Sequence, residues 1–224
     1  LLMMLFQTRI MRKFFADYRV LTVLAGIGAL SVMLFTAKPY HWNVSALFHM
    51  DERLAVAEQI PEHIIVLDEP AYDGAQYYLI ARKFDRLLTP SEWPALAEEF
   101  PGAYAYQRIL LPALAWALSG EVRRAAPQII RQIADDALQL FALLQLVCIV
   151  GVFAVTLRTT NSSLAAFALA FCPAAMLGLH FMLAEPLSLL LTTLIITRYI
   201  RHHKIDGVIL LCACALVLTR EVNI

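Results

Sequence analysis

The sequence predicts an all-α polytopic membrane protein, with about five transmembrane helices and a long non-cytoplasmic first loop carrying interfacial helices. Three observations predict it. Sixty per cent of the residues are hydrophobic, and the mean hydropathy is +0.67. Charged residues make up 16% of the chain, against about 25% in soluble domains. The uncharged residues also gather into runs that approach the ~20 residues needed to cross hydrocarbon.

The elements follow in order. Residues 1–19 read as a cytoplasmic N-terminus carrying Arg9, Arg12, Lys13 and Arg19. Met11 opens "MRKFFADYRV", a natural start, which makes residues 1–10 an upstream extension. Residues 20–37 hold no charge and read as transmembrane helix 1. Their "LFTAKPY" end is a poor small-x-small site, so the helix is read as uncleaved. Residues 38–136 are too many for a simple connection. Residues 137–157, uncharged between Asp136 and Arg158, form the second span. From Leu164 to Thr197 the chain is almost uncharged for 34 residues, too long for one crossing. Pro173, Gly178, His180 and Pro186 predict a helical hairpin over 164–200, reversing between Gly178 and Pro186 with Glu185 near the turn. Residues 205–224 hold a fifth span. Its "TREVNI" end has no closing flank, so the chain reads as an N-terminal fragment.

Charge sets the orientation. If five crossings alternate, the N-terminal arginines, Arg158 and the Arg198/Arg201/Lys204 group share one side, which the positive-inside rule makes cytoplasmic. Segment 38–136, the Glu185 turn and the Arg220–Glu221 pair then meet on the opposite face. That segment carries 14 acidic and 9 basic side chains, a balance that speaks against nucleic-acid binding. Cys148, Cys172, Cys212 and Cys214 all lie in apolar runs and read as small hydrophobes.

Within the loop, "DERLAVAEQI" reads as a short helix and "HIIVLDEP" as an extended piece ended by Pro70. A helix starts at Asp73, with Tyr77, Ile80, Ala81 and Phe84 on one face and Arg82 and Asp85 on the other. Such a helix lies on a membrane with its apolar stripe down. "TPSEWPALAEEFPG" is a proline-broken loop. Ile109 to Leu118, ten residues, suggests an interfacial or re-entrant helix with Pro112 in its first turn. Arg108 would stand at the mouth of that helix, a poor place for a cation unless an anion is near; snorkelling is the other explanation.

Each candidate has a plain structural role beside a chemical one. Asp73 with Gln76 is a capping-box variant, an N-cap acid three residues before an amide. Glu185 before Pro186 is a good helix start. Arg220 and Glu221 could mark an interface, and His180 could be a satisfied hairpin residue. Asp68, Glu69 and Asp73 could share a divalent cation, although their spacing is not diagnostic. No metalloprotease, EF-hand, phosphate-loop or nucleophile-elbow motif occurs.

Read in order, "YDGAQYYLIA", "YQRILLPALAWAL", "AEPLSLLL" and "LTRE" resemble bacterial multi-spanning proteins of cell-surface glycopolymer formation. These belong to the GT-C glycosyltransferase superfamily and are similar to the mannosyltransferases of GPI-anchor assembly. The resemblance covers roughly residues 65 to 221. It implies a larger fold of about eight or more spans, in a bacterial plasma membrane. It also implies sugar transfer from a polyprenyl-phosphate donor to a glycan or lipid acceptor on the non-cytoplasmic face. On that analogy Asp73 is the general base, Arg108 and Arg220 hold the donor phosphate, and Glu185 and Glu221 orient the arginines or contact sugar hydroxyls. Tyr77 and Gln107, within the same motifs, join them as substrate-binding candidates.

Two further readings stand beside the enzyme. A lipid-linked sugar transporter or flippase would use Glu185, Arg220 and Glu221 as intramembrane charges along a pathway. A non-catalytic membrane partner would keep the fold without the activity. The motif departures leave room for that: Ala75 intervenes after the "YDG", and Ala105 stands where the family often has arginine.

Overall fold

A computed structural model describes residues 17–71, 73–92, 94–95, 109–125 and 137–219. These are mostly helical, with two strands of two residues each. Arg108, Gln107, Arg220 and Glu221 lie outside the described residues, as does part of the proline-broken loop.

Helix α1 (Tyr18–Ala37) begins where the Asp17 carboxylate accepts the Arg19 amide at 2.8 Å. Pro39 follows its last turn in a 3-10 turn, Lys38–Tyr40, closed by His41 in the left-handed region. Every fourth residue, Leu21, Ala25, Ala29, Met33 and Ala37, is buried. These side chains are mostly small, so the neighbouring helix α6 (Ala137–Thr160) comes close: a Cβ on Gly26 would meet Val150 Cγ2 at 3.3 Å. The other face of α1, with Val23, Ile27 and Phe35, stays exposed. Such a face suits lipid rather than water. Two stretches, Tyr18–Tyr40 and Gln139–Thr160, are long and apolar enough to cross a membrane.

The expected hairpin takes a more broken form. Helix α7 (Ser163–Ala170) and helix α8 (Pro173–Phe181) meet at a 44° bend. Pro173 opens α8, where its missing N–H costs nothing. As one bent span, the pair makes a third candidate crossing. Met182, in the left-handed region, ends α8, and helix α9 (Glu185–His202) follows after Leu183 and Ala184. The reversal therefore falls between Gly178 and Pro186, with Glu185 as the first residue of the returning helix. Helix α10 (Gly207–Val217) has 11 residues and buries only Ile209.

Pairwise contacts give the helix directions. Arg158 lies over the Tyr18 ring at 4.9 Å, so α6 runs antiparallel to α1. Gln145 donates to the Leu183 carbonyl and Thr159 Oγ1 lies 3.4 Å from Thr197 Oγ1, so α9 runs parallel to α6. Arg198 pairs with Asp206 at one end of the α9–α10 hairpin. Ser188 Oγ donates to Thr219 Oγ1 at 2.9 Å at the other. Arg19, Arg158, Arg198, Arg201 and Lys204 thus share one end of the bundle. The opposite end receives the end of α1, the start of α6, the turn 182–184 and the end of α10.

The described parts of segment 38–136 fold onto that opposite end. A 3-10 helix, Val44–Phe48, is nearly all buried. Phe48 stands between Tyr78, at 5.9 Å, and Phe141 in the first turns of α6, at 5.5 Å. Strands β1 (Met50–Asp51) and β2 (Val66–Leu67) pair in parallel, so that only two residues of "HIIVLDEP" are strand, between a turn at His63 and bends at Asp68 and Glu69. Between them helix α2 (Glu52–Ala57) starts on an Asp51 cap, 2.7 Å from the Leu54 amide. After β2 come helix α3 (Asp73–Arg82), the single turn α4 (Phe84–Leu87) and helix α5 (Leu110–Ala125). Pro112 sits in the first turn of α5, as its chemistry requires.

Helix α3 corrects one expectation. It is no surface helix with a single buried stripe, because Gly74, Ala75, Tyr78 and Leu79 are buried along with Tyr77, Ile80 and Ala81. Phe48 covers the Tyr78 side while α5 covers another, with Phe84 and Trp116 rings 5.1 Å apart. Arg82 and Asp85 do face outward, as the periodicity predicts.

Candidate functional site

The site builds from the start of α3. Helix α3 spans Asp73–Arg82, with the Asp73 carboxylate in its first turn. An acid there is favoured by the unsatisfied amides and the positive end of the helix dipole. Gly74 comes next, and its lack of a side chain is needed: a Cβ would run into the Phe181 carbonyl oxygen. The start of α3 is therefore seated on the last residue of α8. Asp73 and the 182–184 turn, far apart in sequence, come together through this backbone contact.

On the far side of the turn stands Glu185. Its Oε2 is buried and has no hydrogen-bond partner among the described residues. A buried carboxylate oxygen without a donor costs free energy, so the arrangement calls for one. Gln145 approaches the same turn from α6. Its Nε2 is committed to the Leu183 carbonyl, while its Oε1 is buried and unpartnered among the described residues. Gly178 also keeps the turn tight, since a Cβ there would collide with the Pro186 ring.

Two histidines pack against Phe181; the sequence offers His180 as a satisfied hairpin residue and gives His49 no role. The His49 ring centroid lies 4.8 Å from Phe181 and 5.9 Å from His180. His180 packs edge-on against Phe181 at 4.4 Å. His49 Nδ1 is 3.7 Å from Glu69 Oε2. Burial, and then the nearby His180, push the His49 imidazole below its ordinary value, while Glu69 opposes them. No local pattern marks His49; only tertiary contact does.

Tyr77 is 2% exposed and lies inside the core, with Tyr78 beside it. Next to the strand pair a pocket of about 310 Å³ opens between Asp51, Arg53, Asp68 and Glu69. Among the described residues no three His, Cys, Asp or Glu side chains gather as a metal site would require. Asp68, Glu69 and Asp73 thus form no shared cation cage.

No family model, curated protein or solved structure matches the chain. What the site's residues offer is an acid in a helix start, a second acid with an unanswered oxygen, and two imidazoles, all around one reversal at the end of the bundle opposite the basic cluster.

Proposed function

We propose that the chain belongs to a membrane glycosyltransferase of GT-C type. It would transfer a hexosyl group from a polyprenyl-phosphate donor to a cell-surface glycan or lipid acceptor. The reaction takes place on the non-cytoplasmic face of a bacterial plasma membrane, with the N-terminus in the cytoplasm. Five crossings bring the polar reversal and segment 38–136 to that face. Asp73 takes the proton of the acceptor hydroxyl as its oxygen attacks the anomeric carbon. The bond from that carbon to the phosphate oxygen breaks, and the electron pair leaves with the lipid phosphate. Arg108 and Arg220 offset the charge growing on the phosphate. Glu185 and Glu221 orient the arginines or accept from sugar hydroxyls. Gln107 completes the substrate contacts, while Tyr77, expected beside it, lies in the core.

The observation that carries this reading is the seat of Gly74 on the Phe181 carbonyl, which brings Asp73 to the turn bearing Glu185. A carrier would need charges strung along its spans. Among the described residues of α1, α6, α9 and α10, the charged side chains all stand at helix ends, which favours the enzyme.

The test is Asp73→Asn in the full-length protein, assayed for transfer from a polyprenyl-phosphate sugar in vesicles. Asparagine keeps the shape but cannot accept the proton. A loss of at least about 100-fold is expected for removal of a general base. Undiminished transfer leaves Asp73 a helix-start residue and nothing more.

A further inference from the structure

The two imidazoles beside Phe181 take no part in the proposed transfer, yet they stand at the joint on which the site depends. His49 follows the buried 3-10 helix 44–48 and has a positive φ of 48°, held by its amide donating to the Ala46 carbonyl at 3.2 Å. That backbone aims its ring at the end of α8. There it meets His180 and Phe181, and the Phe181 carbonyl in turn seats Gly74. The aromatic cluster joins the stretch 44–51 to the end of α8, and the Phe181 carbonyl seats the start of α3 beside it.

We propose that His49, packed against His180 and Phe181, is an acid-sensitive clip, which holds the 44–51 stretch and the start of α3 against the end of α8 while the His49 ring is neutral and releases them on its protonation. The inference does not rest on sugar transfer.

The groups facing His49 decide the sign. From α8 comes His180, which disfavours a charge on the His49 ring. From the stretch after β2 comes Glu69, an opposite charge. Glu69 has a side chain 73% exposed, against 13% for His49, so solvent screens its attraction. Burial and His180 outweigh it, and the neutral ring is the form that fits the closed contact. The closed clip binds fewer protons than the open one. It is fully stable above the ordinary histidine range near pH ~6.5 and weakens as pH falls through the lowered value.

The experiment uses the full-length protein in lipid nanodiscs between pH 7.5 and 4.5. Histidine-ring NMR follows the titration, and amide hydrogen exchange, corrected for its intrinsic pH dependence, follows residues 44–51 and 73–82. Wild type is expected to lose protection severalfold and reversibly in both stretches as the His49 ring titrates. His49→Asn, a residue that tolerates the left-handed backbone, is expected to show a flat response. Glu69→Gln lowers the His49 titration further and enlarges the acid response. His180→Gln raises it and shrinks the response. A purely structural pair would not move in these opposite directions. Protection that stays flat in wild type, or an acid response equal in all four proteins, overturns the clip.

Discussion

Arg198 Nε donates to Asp206 Oδ2 at 2.7 Å, and the other oxygen of the same carboxylate accepts the amides of Val208 and Ile209, both at 3.1 Å. A single side chain thus pairs with the last turns of α9 and caps α10. The cap matters because α10 is short and buries little of itself, leaving it marginal without its terminal bonds.

The first prediction follows from that carboxylate. The Ile209 amide, and after it the Arg198 guanidinium, hold the Asp206 carboxyl below its ordinary value. A depressed value means stability that is present above the ordinary carboxylate range, near pH ~4, and lost as pH falls through the lowered one. Asp206→Asn keeps an acceptor for the cap and loses the ion pair; Asp206→Ala loses both. Thermal unfolding in detergent at pH 7 is expected to rank wild type above Asn and Asn above Ala, with Ala down by several degrees. In strong acid, wild type and Asn converge. Equal midpoints at pH 7 would show that lipid-exposed packing alone holds the hairpin.

Gly74 gives the second prediction. A Cβ there meets the Phe181 carbonyl oxygen and comes within 3.5 Å of Met182 Cβ. The obstacle is backbone, so no rotamer change relieves it. Gly74→Ala should destabilise the chain by about 1–3 kcal/mol, the usual cost of overpacking, although alanine is the better helix former. It should also suppress transfer while leaving Asp73 chemically intact. Truncating Phe181 to alanine removes the ring and not the carbonyl, so the double variant should stay impaired. Thermal unfolding with the vesicle transfer assay reads both effects. A Gly74→Ala protein with wild-type midpoint and activity would mean the close seat is dispensable.

The features legible in the sequence were those carried by local physics. Uncharged runs mark α1 and α6 because hydrocarbon length and apolarity are properties of a single segment. The reversal at 182–184 is legible because Gly178 and Pro186 punctuate an apolar stretch that is too long to cross once. The start of α3 at Asp73 and its exposed Arg82 and Asp85 come from the same kind of pattern. What failed was long-range. The burial of Tyr78 and Leu79 depends on Phe48, thirty residues earlier, and on α5. The pairing of His49 with His180 leaves no periodic trace at all. Gln145 reads as one polar residue in an apolar span until the Leu183 carbonyl it serves is found beside it.

The last prediction concerns Glu185. Its buried Oε2 lacks a donor among the described residues, and a charged oxygen in such surroundings should not persist unanswered. Ser188, three residues on along α9, donates to Thr219, and Arg220 follows Thr219 in sequence. On the proposed mechanism Glu185 orients that arginine toward the donor phosphate. Glu185→Gln, which keeps the shape and removes the charge, should lower transfer by at least about tenfold, the effect of a lost charge-assisted contact worth roughly 1.5–3 kcal/mol. The loss should appear in the dependence on donor concentration more than on acceptor. Glu185→Arg and Arg220→Glu should each abolish transfer, and their combination should recover part of it. A double variant no better than the worse single one would separate Glu185 from Arg220. Glu185 would then remain a contact for sugar hydroxyls, and its loss should raise the KM for the hexosyl donor without changing the affinity for polyprenyl phosphate alone.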